Sequence, residues 1–277
     1  MATDRPLPVQ VAAGRAPGRP RARRRAAPAV RLVRYAVSVL LTLALWQTLS
    51  TYVINPHLLP PPARVARAVV PMLSTGELEA HVTASLSRIA VGFSLGSLTG
   101  VAFGLLAGRI AMVADLTDPQ LQFFRFLSPT AMIPLAIIWF GIGELSKYFL
   151  ILYATFFIVV INTVAGVAAT PPVRVRAAQA MGARPVQIFL FVVLPSAVPH
   201  VLSGMRVALA SAFMAIIPAE MLAAESGLGF LLQQAGLLVQ TDRIFVALAM
   251  ISLLGFASDL AFRLLIGRLL FRYTQAG

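Results

Sequence analysis

Six runs of about twenty apolar residues, each long enough to cross the hydrocarbon core as a helix, constrain this chain more than any other feature. They lie near 35–54, 86–108, 119–141, 148–169, 201–224 and 244–266, bounded by charges, proline or glycine. Hydrophobic residues fill 58% of the 277 positions and charged residues only 12%, a balance that a water-facing surface cannot carry. The expected fold class is an all-α integral membrane protein with six transmembrane helices. Cysteine is absent, which excludes a disulfide framework, a thiolate metal site and a cysteine nucleophile.

The net charge of +13 comes almost wholly from arginine; Lys147 is the only lysine, and nine arginines precede Tyr35. Residues 1–34 read as a disordered, arginine-rich cytoplasmic tail, and 35–277 as the six-helix domain with a long cytoplasmic loop at 170–200. The tail has no interleaved aromatics of the kind that nucleic-acid binding uses. No small-x-small cleavage site follows the apolar run at 35–46, so an uncleaved first helix is expected. Segments 1–34, 109–118, 170–200 and 267–277 hold fifteen Lys and Arg, whereas 55–85, 142–147 and 225–243 hold four: Arg64, Arg67, Lys147 and Arg243. The positive-inside rule then puts both termini in the cytoplasm.

Three features inside the runs have physical content. Gly92, Gly96, Gly100, Gly104 and Gly108 stand at four-residue spacing and strip side chains from one helix face, which predicts close packing against another helix. Pro129 and Pro134 in the third run and Pro218 in the fifth each remove a backbone donor. The freed carbonyls fit either a buried kink or a cavity-lining backbone, so Pro129, Met132, Pro134, Met214, Pro218 and Glu220 are the candidate pathway and gate residues. Glu220 is open to two readings, a pathway group or a helix-packing group. Asp259 and Arg263 can pair across one turn, while Arg88, Arg125 and Arg206, toward run ends, are expected to reach the headgroups.

Catalytic constellations are absent from the sequence. Lys147 lacks the flanking glycine and hydroxyl residue of a phosphate-binding P-loop. His57, His81 and His200 match no metal-ligand spacing. Segment 170–200 is the most informative stretch. Thr170 is expected to cap a helix opened by Pro171 and Pro172 and running over 173–181, which Gly182 stops in the left-handed conformation. Pro185 starts a second short helix, PVQIFLFVVL, closed by Pro195. Three arginines, no acid and a run of alanines mark this element as a docking surface for another protein.

Within that element Arg176-Ala177-Ala178, then Gly182, then Leu194-Pro195 resemble the permease signature of ABC importers, Glu-Ala-Ala, three residues, Gly, and later Leu-Pro. Arg176 replaces the usual Glu, and an Arg-Ala-Ala-Gln form is similar to the taurine branch of the taurine, nitrate and sulfonate permeases. Leu58-Leu59-Pro60-Pro61-Pro62, Trp139-Phe140-Gly141-Ile142-Gly143-Glu144-Leu145-Ser146-Lys147, Ala219-Glu220-Met221 and Ser226-Gly227-Leu228-Gly229-Phe230 resemble the same subfamily, over roughly residues 55–265. The resemblance implies a type I importer fold of the methionine-importer kind and a membrane subunit that is not itself an enzyme. It implies a pathway of two permeases, two ATPase subunits that hold the ATP and magnesium, and a periplasmic or lipid-anchored solute-binding protein. This chain would then have no cofactor of its own. The coupling loop implied is Arg176, Ala177, Ala178, Gln179, Met181, Gly182, Ala183 and Arg184, and the solute a small anion such as taurine, an alkanesulfonate or nitrate. The rival classes are a secondary transporter, for which no internal repeat or second intramembrane acid beside Glu220 is visible, and a membrane-embedded enzyme, for which no polar cluster is visible.

Overall fold

The computed structural model describes residues 28–269, and every regular element among them is helical. Residues 1–27 of the expected tail lie outside the described residues; from Pro28 onward the chain is already helical, as α1 (Pro28–Thr48) extended by a π-helical turn at Leu49–Val53. The chain divides into two compact units, 1–46 and 47–277. The second comprises α2 (Pro62–Ser74), α3 (Glu77–Arg109), α4 (Ala111–Phe124), α5 (Ile133–Phe140), α6 (Glu144–Ala168), α7 (Pro172–Ala180), α8 (Pro185–Ile188), α9 (Leu194–Ala223), α10 (Leu228–Leu237) and α11 (Thr241–Leu269).

Among the described residues, five helical stretches are long and apolar enough to cross a membrane: Val33–Val53, Glu77–Arg109, Glu144–Ala168, Pro185–Ala223 and Thr241–Arg268. The expected third span at 119–141 is not one helix. It divides into α4 and α5, joined by turns over 125–132. Pro129 supplies the reason, because it lacks a donor and pushes Ser128 away from helical geometry. Pro134 is tolerated because it falls in the first turn of α5, where no amide needs an intrahelical partner.

The central position of α6 follows from side chains that α3 lacks. A β-carbon placed on Gly92, Gly96, Gly100, Gly104 or Gly108 would stand 2.6 to 2.9 Å from the β-carbons of Ile151, Thr155, Val159, Thr163 and Val167 respectively. Both rows repeat every four residues, so the two helices stay in register for five consecutive turns. Thr155 and Thr163 turn their hydroxyls onto the carbonyls of Ile151 and Val159, 2.7 Å each, and Thr163 meets the seam with its methyl group. On a neighbouring face of α6, Gly166 lies under Ala197 and His200, and Gly204 of α9 receives the side chain of Asn162. Thus α6 is held between α3 and α9 by two close backbone approaches.

Apolar clusters fill the remaining space. Ile89, Ile151, Leu209, Ala212, Phe213 and Ile216 bring α3, α6 and α9 together, with Leu254 and Phe262 of α11 against them. Ile133, Ala136, Leu150 and Ala219 seat α5 on α6 and α9. Ion pairs tie α11 to the start of the unit: Arg64 to Asp242 at 2.9 Å, and Arg243 to Glu77.

Pro195 does not close the second short helix. The chain runs on helically from Pro185 to Ala223, through a π-helical turn at Phe189–Val193. The Leu194 amide reaches back five residues to Phe189, and this wider register relieves the clash that a proline ring makes with the carbonyl four residues earlier.

Gly100→Leu is expected to break the α3–α6 seam, since its β-carbon alone would sit 2.9 Å from that of Val159 and 3.0 Å from the Phe156 carbonyl oxygen. Overpacking of this kind costs roughly 1–3 kcal/mol or more. Thermal unfolding in detergent measures the loss, and Gly100→Ala should be milder when combined with Val159→Ala.

Candidate functional site

At the Glu144 end of α6, four ionisable side chains from three helices meet, three of them buried and the fourth, Glu144, partly open. Arg88 of α3 is only 5% exposed and Glu220 of α9 is fully buried. The Arg88 guanidinium donates from Nη1 to Glu220 Oε1 at 2.8 Å, and from Nε and Nη2 to both oxygens of Glu144 at 2.6 and 2.8 Å. Lys147 Nζ donates to Glu144 Oε1 at 3.0 Å. Two cations face two anions, so the cluster is neutral overall. Arg88 therefore does not reach the headgroups; its planar fork bridges two carboxylates, a geometry that lysine cannot supply.

The cluster also captures the end of the loop after α9 and the first residues of α10. The Gly227 amide donates to His81 Nδ1 at 3.0 Å, the Leu228 amide to Ser85 Oγ at 2.8 Å, and the Gly229 amide to Glu220 Oε2 at 2.9 Å. The Ser85 hydroxyl donates in turn to Glu220 at 2.8 Å, and Arg88 Nη1 also donates to the Ser226 carbonyl. Because His81 accepts at Nδ1, its ring proton lies on Nε2. A β-carbon at Gly227, where φ is +125°, would run into the Glu220 carboxylate, and one at Gly229 into the Ile217 carbonyl. Only glycine permits so close an approach at these two positions.

At the opposite end of α6, α7 and α8 form a helix-turn-helix. Gly182 adopts φ +80°; its amide donates to Gln179 at 2.9 Å and the Ala183 amide to Ala178 at 3.1 Å, the paired bonds that close a helix on a left-handed residue. Gln187 Oε1 accepts from the Arg184 amide at 2.8 Å and fastens the start of α8. Thr170 does not cap α7: Pro171 holds that position and the buried Thr170 hydroxyl has no partner. The outer surface is made by Arg176, Ala177, Gln179 and Met181, the last 82% exposed. Ala178 faces inward at 6% exposure, so it packs against its own chain and not on the free surface.

The candidate pathway residues scatter over the fold. Pro129, Met132 and Pro218 are half-buried, Pro134 and Met214 are exposed, and Glu220 belongs to the charge cluster. Pro129 lines a cavity of about 250 Å³. Arg206 meets Asp259 at 2.6 Å rather than reaching past the span end, and Arg263 meets the same carboxylate at 3.1 Å. Sequence reasoning missed Arg88, Ser85 and His81 as partners of Glu220 and its loop, because they lie 132 or more positions away. The available signal was an intramembrane arginine in a chain with two acids, Glu144 and Glu220, inside the motifs already singled out.

Residues 100–270 match the family model for the binding-protein-dependent transport system inner membrane component. The taurine transport system permease protein TauC of Escherichia coli is 38% identical over 239 residues, covering 84% of this chain and 86% of that protein. A putative aliphatic sulfonates transport permease protein, SsuC of Bacillus subtilis, is 33% identical over 229 residues, covering 82% and 83%. The nitrate import permease protein NrtB of Synechocystis is 29% identical over 238 residues, covering 83% and 86%. A chain of the inward-facing MetNI methionine ABC transporter superposes with a TM-score of 0.57 at 22% identity, over 70% of this chain and 97% of that one. With the helix-turn-helix at one end of α6 and the motif-built charge cluster at the other, these matches place the chain in the family of binding-protein-dependent transport system inner membrane components. Its fold is that of a type I ABC importer permease.

Removing Arg88 leaves the fully buried Glu220 carboxylate without its cation, a loss that costs about 3–5 kcal/mol, whereas removing Glu220 leaves Arg88 still paired with Glu144. Arg88→Ala is expected to lose that much stability and Glu220→Ala less, read from SDS-induced unfolding in mixed micelles. Arg88→Met with Glu220→Leu should cost less than the two single changes added together.

Proposed function

We propose that this chain is the permease subunit of an ATP-driven importer for a small anionic solute such as taurine, an alkanesulfonate or nitrate. The observation that carries the reading is the exposed, rigidly closed α7–α8 turn in a chain whose relatives include permeases for these solutes. Two copies would form the pathway, and two ATPase subunits would grip the turns from the cytoplasm. A solute-binding protein would deliver cargo from outside. ATP and magnesium stay with the ATPase, so this subunit binds no nucleotide and catalyses nothing. Both termini are placed in the cytoplasm by the arginine balance, with the charge cluster toward the outer side.

The cycle is alternating access. Closure of the ATPase dimer displaces the α7–α8 turn, α9 follows as a continuous helix, and the pathway opens outward; hydrolysis reverses the movement. Since Ala178 packs inward, the contact with the ATPase falls to Ala177, Met181 and their exposed neighbours.

Two substitutions separate fold from contact. Gly182→Val puts a β-branched residue at positive φ, a strain of about 1–3 kcal/mol, and is expected to lower solute uptake strongly. Met181→Asp leaves the turn intact and should weaken co-purification of the ATPase, which a pull-down measures. Normal transport and ATPase retention in both would refute the coupling role, and uptake without any ATPase would point to a secondary transporter. Reporter fusions after Arg174 are expected inside and after Ile142 outside.

A further inference from the structure

We infer that the cavity between the α4–α5 break, α6 and α9 is a mid-membrane contact site for a small anion, with Arg125 as its charge. This deepens the proposed function and rests on it for the identity of the solute. Arg125, Pro129, Tyr153, Phe157, Ile161 and Ser211 line a space of about 250 Å³. That is roughly eight water volumes at ~30 Å³ each, and it lies below the usual size of a pocket for drug-sized ligands. A compact solute of few heavy atoms fits it.

Depth makes the arginine informative. Tyr153, Phe157 and Ile161 occupy the middle of α6 (Glu144–Ala168), so the cavity is centred roughly 15–20 Å from either helix end at ~1.5 Å per residue. A cation at such a level is costly and is retained where it faces a partner or a cavity. Arg88, Arg206 and Arg263, arginines inside the neighbouring helices, each meet a carboxylate. Among the described residues Arg125 meets none; its guanidinium stacks over the Phe126 ring at 4.7 Å. The side chain is exposed at the rim of the space, so its donors stay available.

The surrounding chemistry is consistent with a transit site. The Tyr153 hydroxyl donates to the Phe124 carbonyl at 2.6 Å, which fixes the end of α4 and satisfies a carbonyl that would otherwise repel an anion. Ser211 offers a hydroxyl, and no acid lines the space. One unpaired cation, one hydroxyl and aromatic walls suit a sulfonate group or nitrate better than a cation.

The cysteine-free sequence gives a direct test. In the assembled importer complex carrying Ser211→Cys, the thiol is labelled with sulfonatoethyl methanethiosulfonate and, separately, with its trimethylammonium counterpart, with and without ATP. Each rate is normalised to that of a free thiol in solution. The anionic reagent is expected to be favoured about tenfold over the cationic one. Arg125→Gln should bring that ratio close to one, and Arg125→Lys should restore most of it. A ratio near or below one with Arg125 intact, or no labelling in either nucleotide state, overturns the site even if Arg125→Gln does not assemble. Uptake of taurine, ethanesulfonate and nitrate by the unaltered complex with its binding protein is measured in parallel. Its absence would count against the proposed solute class, and the labelling ratio would still decide the site.

Discussion

The close backbone approach of α3 to α6 sets the geometry on which the rest depends. A lipid environment gives apolar helices little reason to prefer one another over acyl chains, so association has to come from packing that lipid cannot match. Five glycines facing Ile151, Thr155, Val159, Thr163 and Val167 supply it, and they fix the register of the two helices as well as their separation. That register brings Ser85 and Arg88 level with Glu220 and with the start of α6. A shift of α3 by one turn would leave the two carboxylates without their arginine.

The charge cluster is a second constraint of a different kind. Buried ion pairs add little net stability once desolvation is counted, but they tolerate few alternative arrangements. Here two glycine amides and one leucine amide at the start of α10, a serine, a histidine, two carboxylates and two cations are all matched to one another. The loop after α9 is therefore bound to α3 and cannot drift independently of it. The unit is rigid at one end, while at the other the α7–α8 turn stands exposed.

The helical class and the main apolar helices were legible from run length, and the four-residue period of the glycines was legible from spacing. The helix that those glycines meet was not, because a period names a face and not its partner. In sequence Pro129 is an interruption inside a span, whereas the chain breaks fully into α4 and α5 there. Pro195 has the look of a stop and is not one, because a π-helical turn before it absorbs the clash, and no local residue announces that turn. Glu220 illustrates the general limit. Its burial was open to two readings from sequence, and its partners Ser85 and Arg88 are joined to it only by the fold. Ala178 lies in an alanine-rich stretch whose inward and outward faces differ by a rotation that composition does not record.

The π-helical turn at Phe189–Val193 has a consequence for how this chain can vary. Such a turn accommodates one more residue than an α-turn, so it offsets the two helical segments it joins by about 100° around the axis. The face that α8 presents is consequently set by residue count between Pro185 and Pro195. Substitutions there that keep the residue count and Pro195 leave the aim of the α7–α8 turn unchanged. A single-residue deletion would turn that surface by more than a quarter of a revolution while every apolar contact deeper in α9 stayed in place, which makes this short segment an indexing joint between the span and the α7–α8 turn.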